Sequence, residues 1–189
     1  SLSNSSTVGS GVNVPYFWNI GNDRDLTFTP KLYLNENPLF LTEYRQDFKN
    51  SFMVLDTGYT KGYKRSDNKK TSGSRNHFFA RFNKNFIDED KENSNLEIDI
   101  QKVSNDTYFK VHDLETTLVN KDSNIIENKI NFSYQNEDLF FGLTPGIYED
   151  MNKTGHSRHE YLLPLTVEKN IMSSARYGFL NLESNLKLR

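Results

Sequence analysis

The sequence predicts an all-β protein, and three observations support that fold class. Aromatic residues, which favour strands, are abundant: the 189 residues include 14 phenylalanines and 10 tyrosines. Apolar and polar residues alternate with the period of a strand in several segments, for example from Leu180 to Leu188. Clusters of asparagine, aspartate, serine and glycine separate these segments, as turns do. The pattern therefore predicts antiparallel strands joined by turns.

About ten strands are predicted, paired in sequence order as an antiparallel meander. They cover residues 12–20, 26–34, 39–48, 52–61, 76–87, 95–103, 127–135, 139–149, 160–169 and 177–189. Three segments between them do not fit strands: a basic loop at 62–75, a long segment at 104–126 with room for a short helix, and a loop at 150–158. The Gly-Ser-Gly sequence at 9–11 is expected to be a flexible turn.

Most predicted strands have one apolar and one polar face. The clearest examples are Leu96, Ile98 and Ile100 against Glu97, Asp99 and Gln101, and Leu180, Leu182, Leu186 and Leu188 against polar residues that include Glu183 and Lys187. A soluble β-sandwich has this pattern with water outside, and a transmembrane β-barrel has it with a polar lumen, so the alternation leaves both open. Several predicted strands have nine to twelve residues, which is nearer the length that spans a bilayer than an average strand.

Two membrane signals are absent from the sequence. No run of 18 apolar residues exists, so no transmembrane helix is predicted, and residues 1–10 lack the charged and apolar regions of a signal peptide. The mean hydropathy of −0.74 does not separate a soluble protein from a β-barrel, because only every second residue of a barrel strand faces lipid.

Composition and motifs predict neither an enzyme nor a metal protein. The net charge of −2 argues neither for nor against a nucleic-acid partner, and none is expected. The basic loop at 62–75 could bind phosphates, but a solvated loop is the favoured interpretation. The absence of cysteine excludes disulfides and thiolate metal ligands. His156 and His159 form an H-x-x-H pair, but it lies in a predicted loop without an obvious third ligand, so no metal is expected. No motif for nucleophilic catalysis, phosphate binding or a dinucleotide is found, and no cofactor is expected.

The stretch from Val14 to Leu34 reads as a hairpin with a proline in each arm, Pro15 and Pro30. Proline has no N–H and removes a ladder hydrogen bond, which normally confines it to edges and bulges. Three consecutive aromatic residues follow the first proline: Tyr16, Phe17 and Trp18. They would be core residues in a soluble fold and could belong to an interfacial girdle in a membrane barrel.

This hairpin resembles the first barrel strands of the LPS-assembly outer-membrane protein family, LptD. The likeness lies in Pro-Tyr-aromatic-aromatic-Asn at 15–19 and Asp-x-Thr-aromatic-Thr-Pro at 25–30. Weaker likenesses to the family are SNSSTVGSGV, LTEYRQDF, FMVLDTGY, KVSNDTYFKVHD and EYLLPLTVEKN. Because the family's chains are several times longer, residues 1–11 are interpreted as the end of a periplasmic jelly roll or linker, and 12–189 as the N-terminal part of a large transmembrane β-barrel.

The resemblance implies lipopolysaccharide (LPS) transport at the outer membrane of a Gram-negative bacterium. In that family LPS leaves the lumen sideways between the first and last strands, so Pro15 and Pro30 are expected to weaken a lateral gate. The other implied site residues are the gate-strand aromatics Tyr16, Phe17, Trp18 and Phe28, and the lumen-facing residues Glu97, Asp99, Gln101, Glu183 and Lys187. The implied partners are LPS, an LptE-like lipoprotein plug and an LptA-like periplasmic bridge. The alternatives are another barrel such as a porin, and a soluble β-sandwich or lipocalin-like binding module.

Two registers of the hairpin are compared. One places the two prolines opposite each other, and the other, shifted by one residue, pairs Trp18 with Phe28 and Val14 with Leu32 on one apolar face. Because a one-residue slip moves every side chain to the other face, the apolar register is predicted, with the prolines offset. If the first strand rises from the periplasm, the turn at 21–24 is extracellular and the long segments at 62–75, 104–126 and 150–158 are periplasmic.

Overall fold

One antiparallel sheet contains nearly all of the regular structure. The computed structural model describes residues 2–5, 9–34, 36–62, 72–87, 92–120, 123–174 and 178–189. The strands of those residues are β1 (Leu2–Ser5), β2 (Gly9–Asn13), β3 (Tyr16–Gly21), β4 (Arg24–Tyr33), β5 (Leu39–Phe48), β6 (Ser51–Gly62), β7 (Ser72–Ile87), β8 (Asn93–Val103), β9 (Ile125–Gln135), β10 (Leu139–Leu143), β11 (Gly146–Asp150), β12 (His159–Ser174) and β13 (Gly178–Leu188). A short helix, α1 (Tyr108–His112), and a 3₁₀ helix at Gly155–Arg158 lie between strands.

The strands pair in sequence order, which confirms the predicted all-β antiparallel meander. Two predicted strands are each divided in two. β2 and β3 both pair with β4, on either side of Pro15, and β10 and β11 both pair with β9 and β12, on either side of Pro145. Proline cannot donate to a ladder, which explains where the divisions fall.

The sheet begins earlier than the sequence predicts. The Gly-Ser-Gly sequence at 9–11 was expected to be a turn, but it lies in β2, because β1 pairs with it on one side and β4 on the other. The backbone amide of Leu34 also donates to the carbonyl oxygen of Ser10 at 3.2 Å. The assignment of residues 1–11 to the end of a jelly roll or a linker stays a prediction.

The register gives the sheet two chemically different faces. Side chains alternate across a strand, so the paired positions from β2 to β13 define one face that carries Trp18 and one that carries Asp99, called here the apolar face and the polar face. Residues of the apolar face include Tyr16, Trp18, Phe28, Phe40, Phe78, Ile98, Ile130, Leu163, Leu182 and Leu186. These side chains are not packed against a second sheet, since the described strands form one sheet and Leu182, for example, is 52% exposed.

Among the described residues, the main group of buried apolar side chains lies on the polar face. Leu39, Val54 and Phe79, from β5, β6 and β7, are at most 5% exposed. They pack against a segment that we call the bridging segment, residues 105–119, through Tyr108, Phe109, Leu114, Leu118 and Val119. α1 confirms that the long segment at 104–126 holds a short helix.

The structure corrects the edges of the predicted loops. β6 ends at Gly62, β7 begins at Ser72 and Arg75 pairs with Thr60, so residues 62 and 72–75 of the predicted basic loop belong to strands. The rest of that loop, residues 63–71, lies outside the described residues. Among the residues that the structure describes, no helix is long and apolar enough to cross a membrane.

Candidate functional site

The candidate site is the hairpin of β2, β3 and β4 at the start of the sheet. Within the described part of the chain, β3 pairs with β4 on one side and with no strand on the other, which leaves an open edge. β1 does not cover this edge, because its pairing with β2 ends at Val12. The aromatic residues that follow Pro15 therefore lie on a strand with one unpaired side.

The register of the hairpin differs by two residues from the predicted one. Tyr16 pairs with Phe28 and Trp18 with Leu26, so the predicted pairing of Trp18 with Phe28 is wrong. The turn accounts for one residue of the shift, since it pairs Gly21 with Arg24, and a one-residue bulge at Ile20 accounts for the other. Because the shift is an even number, each side chain stays on its predicted face, and the prolines are offset as expected.

Pro30 leaves the ladder between the first strands one hydrogen bond short. The N–H of Val14 donates to the carbonyl oxygen of Pro30 at 3.1 Å. Such a pair in an antiparallel ladder normally exchanges two bonds, but Pro30 has no N–H to return. This gap falls in β4, an interior strand that also pairs with β5 through Pro30 and Phe40.

Pro15 affects the opposite side of the first strand, the side that faces away from β4. Since the N–H of Val14 points toward β4, the alternation of an extended chain turns the nitrogen of Pro15 toward the open edge. Its missing donor removes a bonding point from that edge instead of from the hairpin. The two prolines thus affect two different ladders.

The four aromatic residues predicted at the site are exposed and lie on both faces. Tyr16, Trp18 and Phe28 share the apolar face, where they are 63%, 53% and 36% exposed. Phe28 stacks on Phe40, with ring centroids 6.1 Å apart. Phe17, 57% exposed, lies on the polar face. Their exposure gives no support to the soluble alternative, in which these rings would form a core.

The polar residues predicted to share a face do share it, but they do not form one cluster. Asp99 is buried and accepts two hydrogen bonds from the guanidinium of Arg81, at 2.6 and 3.2 Å. Gln101 is also buried; its side-chain oxygen accepts from the backbone N–H of Glu127 at 2.8 Å. The other three are Glu97, on the same strand, and Glu183 and Lys187, which are exposed on β13.

A buried polar network on the same face was not predicted. His77 lies 3.1 Å from the carboxylate of Asp56 through Nε2 and 3.3 Å from the hydroxyl of Tyr108 through Nδ1. His112 Nδ1 lies 3.4 Å from the hydroxyl of Tyr33. The alternation in 76–87 is enough to place His77 on the polar face. Its contact with Tyr108, which is 31 residues later in α1, could not be predicted because no local sequence pattern indicates it.

Burial keeps two side chains of α1 neutral. His112 is 4% exposed, and desolvation lowers its pKa to about 4, with smaller contributions from the positive charges of Arg75 and Lys31. Tyr108 is fully buried, and desolvation raises its pKa above the ordinary value, aided by the charge of Asp56. His112 and Tyr108 therefore act as neutral hydrogen-bonding groups of the bridging segment at pH 7.

Arg158 ties the start of the bridging segment to the end of β11. Its guanidinium donates to both carboxylate oxygens of Asp106, at 2.6 and 3.0 Å, and to Glu149 at 2.6 Å. The hydrogen bonds from Arg158 lower the pKa of Asp106. A bidentate pair of this kind fixes the orientation of both groups.

His156 and His159 do not lie in a group of potential metal ligands. Across the described ranges, no group of three or more histidine, cysteine, aspartate or glutamate side chains could hold a metal ion. His159 Nε2 lies 3.8 Å from Glu149, and His156 is exposed in the 3₁₀ helix.

A long antiparallel meander with one apolar and one polar face is typical of the strands of transmembrane β-barrels. Comparison with known proteins leads to a particular group. Over its whole length the chain is 25% identical to the LPS-assembly protein LptD of Shewanella frigidimarina, of which it covers 23%. It is 47% identical over 45 residues, 24% of this chain and 6% of the relative, to LptD of Shewanella oneidensis. With LptD of Nitrosococcus oceani it shares 24% identity over 131 residues, 69% of this chain and 16% of the relative.

These similarities support a distant relationship with the LptD family. No protein-family model matches the chain. The chain spans about a quarter or less of the length of the relatives that it matches.

Proposed function

We propose that this chain is the N-terminal portion of an outer-membrane β-barrel that transports and assembles LPS, and that the hairpin of β2 to β4 is part of its lateral gate. The role is one of transport and not of catalysis. It requires LPS as cargo, the outer membrane of a Gram-negative bacterium as its location, and, in the whole protein, an LptE-like plug and an LptA-like bridge as partners. The distant similarity to LptD supports this proposal.

The observation that carries the proposal is the ladder defect beside an open edge. Val14 donates to Pro30 and receives nothing back, and the chain after Val14 continues into β3, whose other edge has no described partner. A backbone hydrogen bond contributes about 0.5–1.5 kcal/mol net in water, and its loss matters more in lipid, where no water replaces it. A hairpin that is weak at this position can separate with a small input of energy from arriving LPS.

The two faces of the sheet fit a membrane-spanning wall. Exposed apolar side chains such as Trp18 and Leu182 would contact lipid, while Asp99, Glu183 and Lys187 would face a polar lumen. A soluble sandwich would instead bury the apolar face under a second sheet, and the described strands provide none.

A porin-like barrel is the second candidate, since its strands have the same two faces. It would not need a missing donor in an interior strand, so the defect at Pro30 favours the gate. With the first strand rising from the periplasm, the turn at residues 22–23 would be extracellular and the bridging segment would connect strands at the periplasmic end.

Photo-crosslinking in cells tests whether LPS passes this hairpin. A photoreactive phenylalanine analogue would replace Phe17, which is exposed on the polar face of β3, in the intact protein that carries this chain. The matched control is Phe140, another phenylalanine of the polar face, on β10.

An LPS adduct that forms mainly at position 17, and that declines when LPS synthesis is stopped, is the expected result. No adduct at position 17, or equal adducts at positions 17 and 140, would contradict a gate at this hairpin.

A further inference from the structure

The bridging segment crosses the polar face from β7 to β4. At one side Tyr108 lies against His77, with the hydroxyl 3.3 Å from the ring nitrogen. The chain then reverses at Asp113, whose φ of 44° is in the left-handed region, and Leu114 follows it into the buried cluster. The segment therefore touches several strands that are not its neighbours in sequence.

Two contacts join the bridging segment directly to the second strand of the hairpin. Lys31 of β4 donates through Nζ to the backbone carbonyl of Asp113 at 3.4 Å. The hydroxyl of Tyr33, also of β4, lies 3.4 Å from Nδ1 of His112, and its ring packs against the buried cluster. Lys31 and Tyr33 are one and three residues after Pro30, and their side chains lie on the polar face, opposite to that of Pro30.

A glycine in β6 leaves the space into which the bridging segment packs, and we call this space the seat of the segment. Gly58 of β6 lies below Tyr108 and His77, and a Cβ at position 58 would be 2.5 Å from His77 Cε1 and 2.8 Å from the Tyr108 hydroxyl. Real Cβ atoms do not approach other atoms so closely, so the packing of α1 on β6 requires glycine.

The far ends of the segment are fixed as well. Asp106 is held by Arg158, and the carbonyl of Leu118 accepts a hydrogen bond from the side chain of Gln101 at 3.4 Å. Arg75 of β7 also donates to the side chain of Asn105 at 3.4 Å. A segment anchored to β7, β8 and the 3₁₀ helix can restrain a strand that it touches between those anchors.

We infer that the bridging segment is a strut that ties β4 to the wall formed by β5 to β7, so that opening of the hairpin is confined to the ladder between β4 and β2–β3. β4 loses a hydrogen bond on the β2–β3 side at Pro30 and gains contacts from the strut at Lys31 and Tyr33. Lys31 and Tyr33 are then positioning residues. The inference rests on the proposed function only in that the opening serves LPS.

Hydrogen exchange on the intact protein, measured peptide by peptide, tests the strut. The variant Lys31→Met/Tyr33→Phe removes both contacts and keeps the aromatic ring in the buried cluster. The control is Lys110→Met on the same helix, whose exposed amine instead reaches Asn124 at 2.7 Å. A second variant, Gly58→Ala, displaces the segment from its seat without changing β4.

In the unaltered protein, amides of residues 12–18 should exchange before those of 39–48. The double variant and Gly58→Ala should each raise exchange in residues 39–48 roughly fivefold or more, the effect expected from losing two weak hydrogen bonds. Exchange in 39–48 that matches the unaltered protein and Lys110→Met would overturn the strut. If exchange rises as expected but crosslinking of LPS at position 17 is absent in the unaltered protein, the strut stands and the proposed function fails.

Discussion

The backbone N–H of Val14 donates to the carbonyl oxygen of Pro30 at 3.1 Å, and Pro30 has no N–H with which to complete the pair. This unreturned bond lies where β2 ends and β3 begins, so the first strand is divided at the same level as the missing donor. A single proline in the sequence thus weakens the hydrogen bonding between β4 and the first strand of the hairpin.

Replacing Pro30 with valine should strengthen the hairpin. Valine fits the apolar face and its N–H can bond the carbonyl of Val14, which adds about 0.5–1.5 kcal/mol. Exchange of amides in residues 12–18 should slow by about 2- to 13-fold, the same free energy expressed as a ratio. Delivery of LPS to the cell surface should fall at matched barrel levels, measured by resistance to large hydrophobic antibiotics.

Pro15→Val is the matched control for that experiment. Its restored N–H would point to the open edge of β3, so exchange in the hairpin ladder should stay unchanged. If Pro15→Val slowed exchange in the hairpin as much as Pro30→Val, the assignment of the two prolines to different ladders would be wrong.

Charge placed on the apolar face should prevent insertion into a bilayer. Leu182 lies on the apolar face and its neighbour Asn181 on the polar face, and both are exposed. Arginine at a lipid-facing position near the bilayer centre costs about 2–4 kcal/mol. Leu182→Arg should therefore reduce folding of the intact protein into lipid vesicles, read by heat-modified gel mobility, and Asn181→Arg should not. Equal effects of the two variants would show that lipid does not contact the leucine face.

The bridging segment should loosen as the pH falls. His112 has a folded pKa of about 4, below the value of about 6.5 in an unfolded chain, so the unfolded state binds more protons between these values. The contribution of neutral His112 to the free energy of unfolding is therefore fully present above pH 6.5. It declines as the pH drops toward 4, by about 3 kcal/mol at most. The charged and polar groups around the ring include Lys31 and Tyr33 of β4, Arg75 of β7 and Tyr108 of α1.

Urea unfolding in detergent at pH 7.5 and pH 4.5 measures this effect. The variant His112→Gln has no ionisable ring and should lose most of the difference between the two midpoints. An unchanged difference in this variant would assign the pH dependence to other groups.

The planar guanidinium of Arg158, and not its charge alone, should stabilise the start of the bridging segment. Arg158→Lys keeps the positive charge but cannot bond both oxygens of Asp106 as a planar fork does. The substitution should lower the free energy of unfolding by about 1 kcal/mol at most, because the pair is partly exposed. It should also speed hydrogen exchange of the amides in residues 104–107. Lys153→Ala, which removes an exposed ion pair with Asp150, is the control and should leave that region unchanged. Similar exchange in Arg158→Lys and the unaltered protein would show that the fork is not needed.

The strands and their faces could be read from the sequence because a period of two is a local signal. Leu96 and Asp99 fall on the predicted faces for that reason. The register of the hairpin could not be read, since the bulge at Ile20 depends on how the turn closes. The contact of His112 with Tyr33 was equally hidden, because it needs a helix to fold back across several strands.

The most direct test of the gate is a reversible lock across the hairpin. Phe17 and Thr27 are directly opposite on the polar face, at a position where the alternation predicts a non-hydrogen-bonded pair with Cα atoms about 4.5 Å apart, within the range of a disulfide. The chain has no cysteine, so Phe17→Cys/Thr27→Cys introduces a single possible bridge within it. Asp47→Cys/Phe52→Cys, an equivalent bridge across the next hairpin, is the control. If the hairpin opens during export, oxidation of the first pair alone should reduce newly arrived LPS at the cell surface, and a reductant should restore it. Undiminished LPS delivery through a fully oxidised Phe17→Cys/Thr27→Cys hairpin would contradict the proposal.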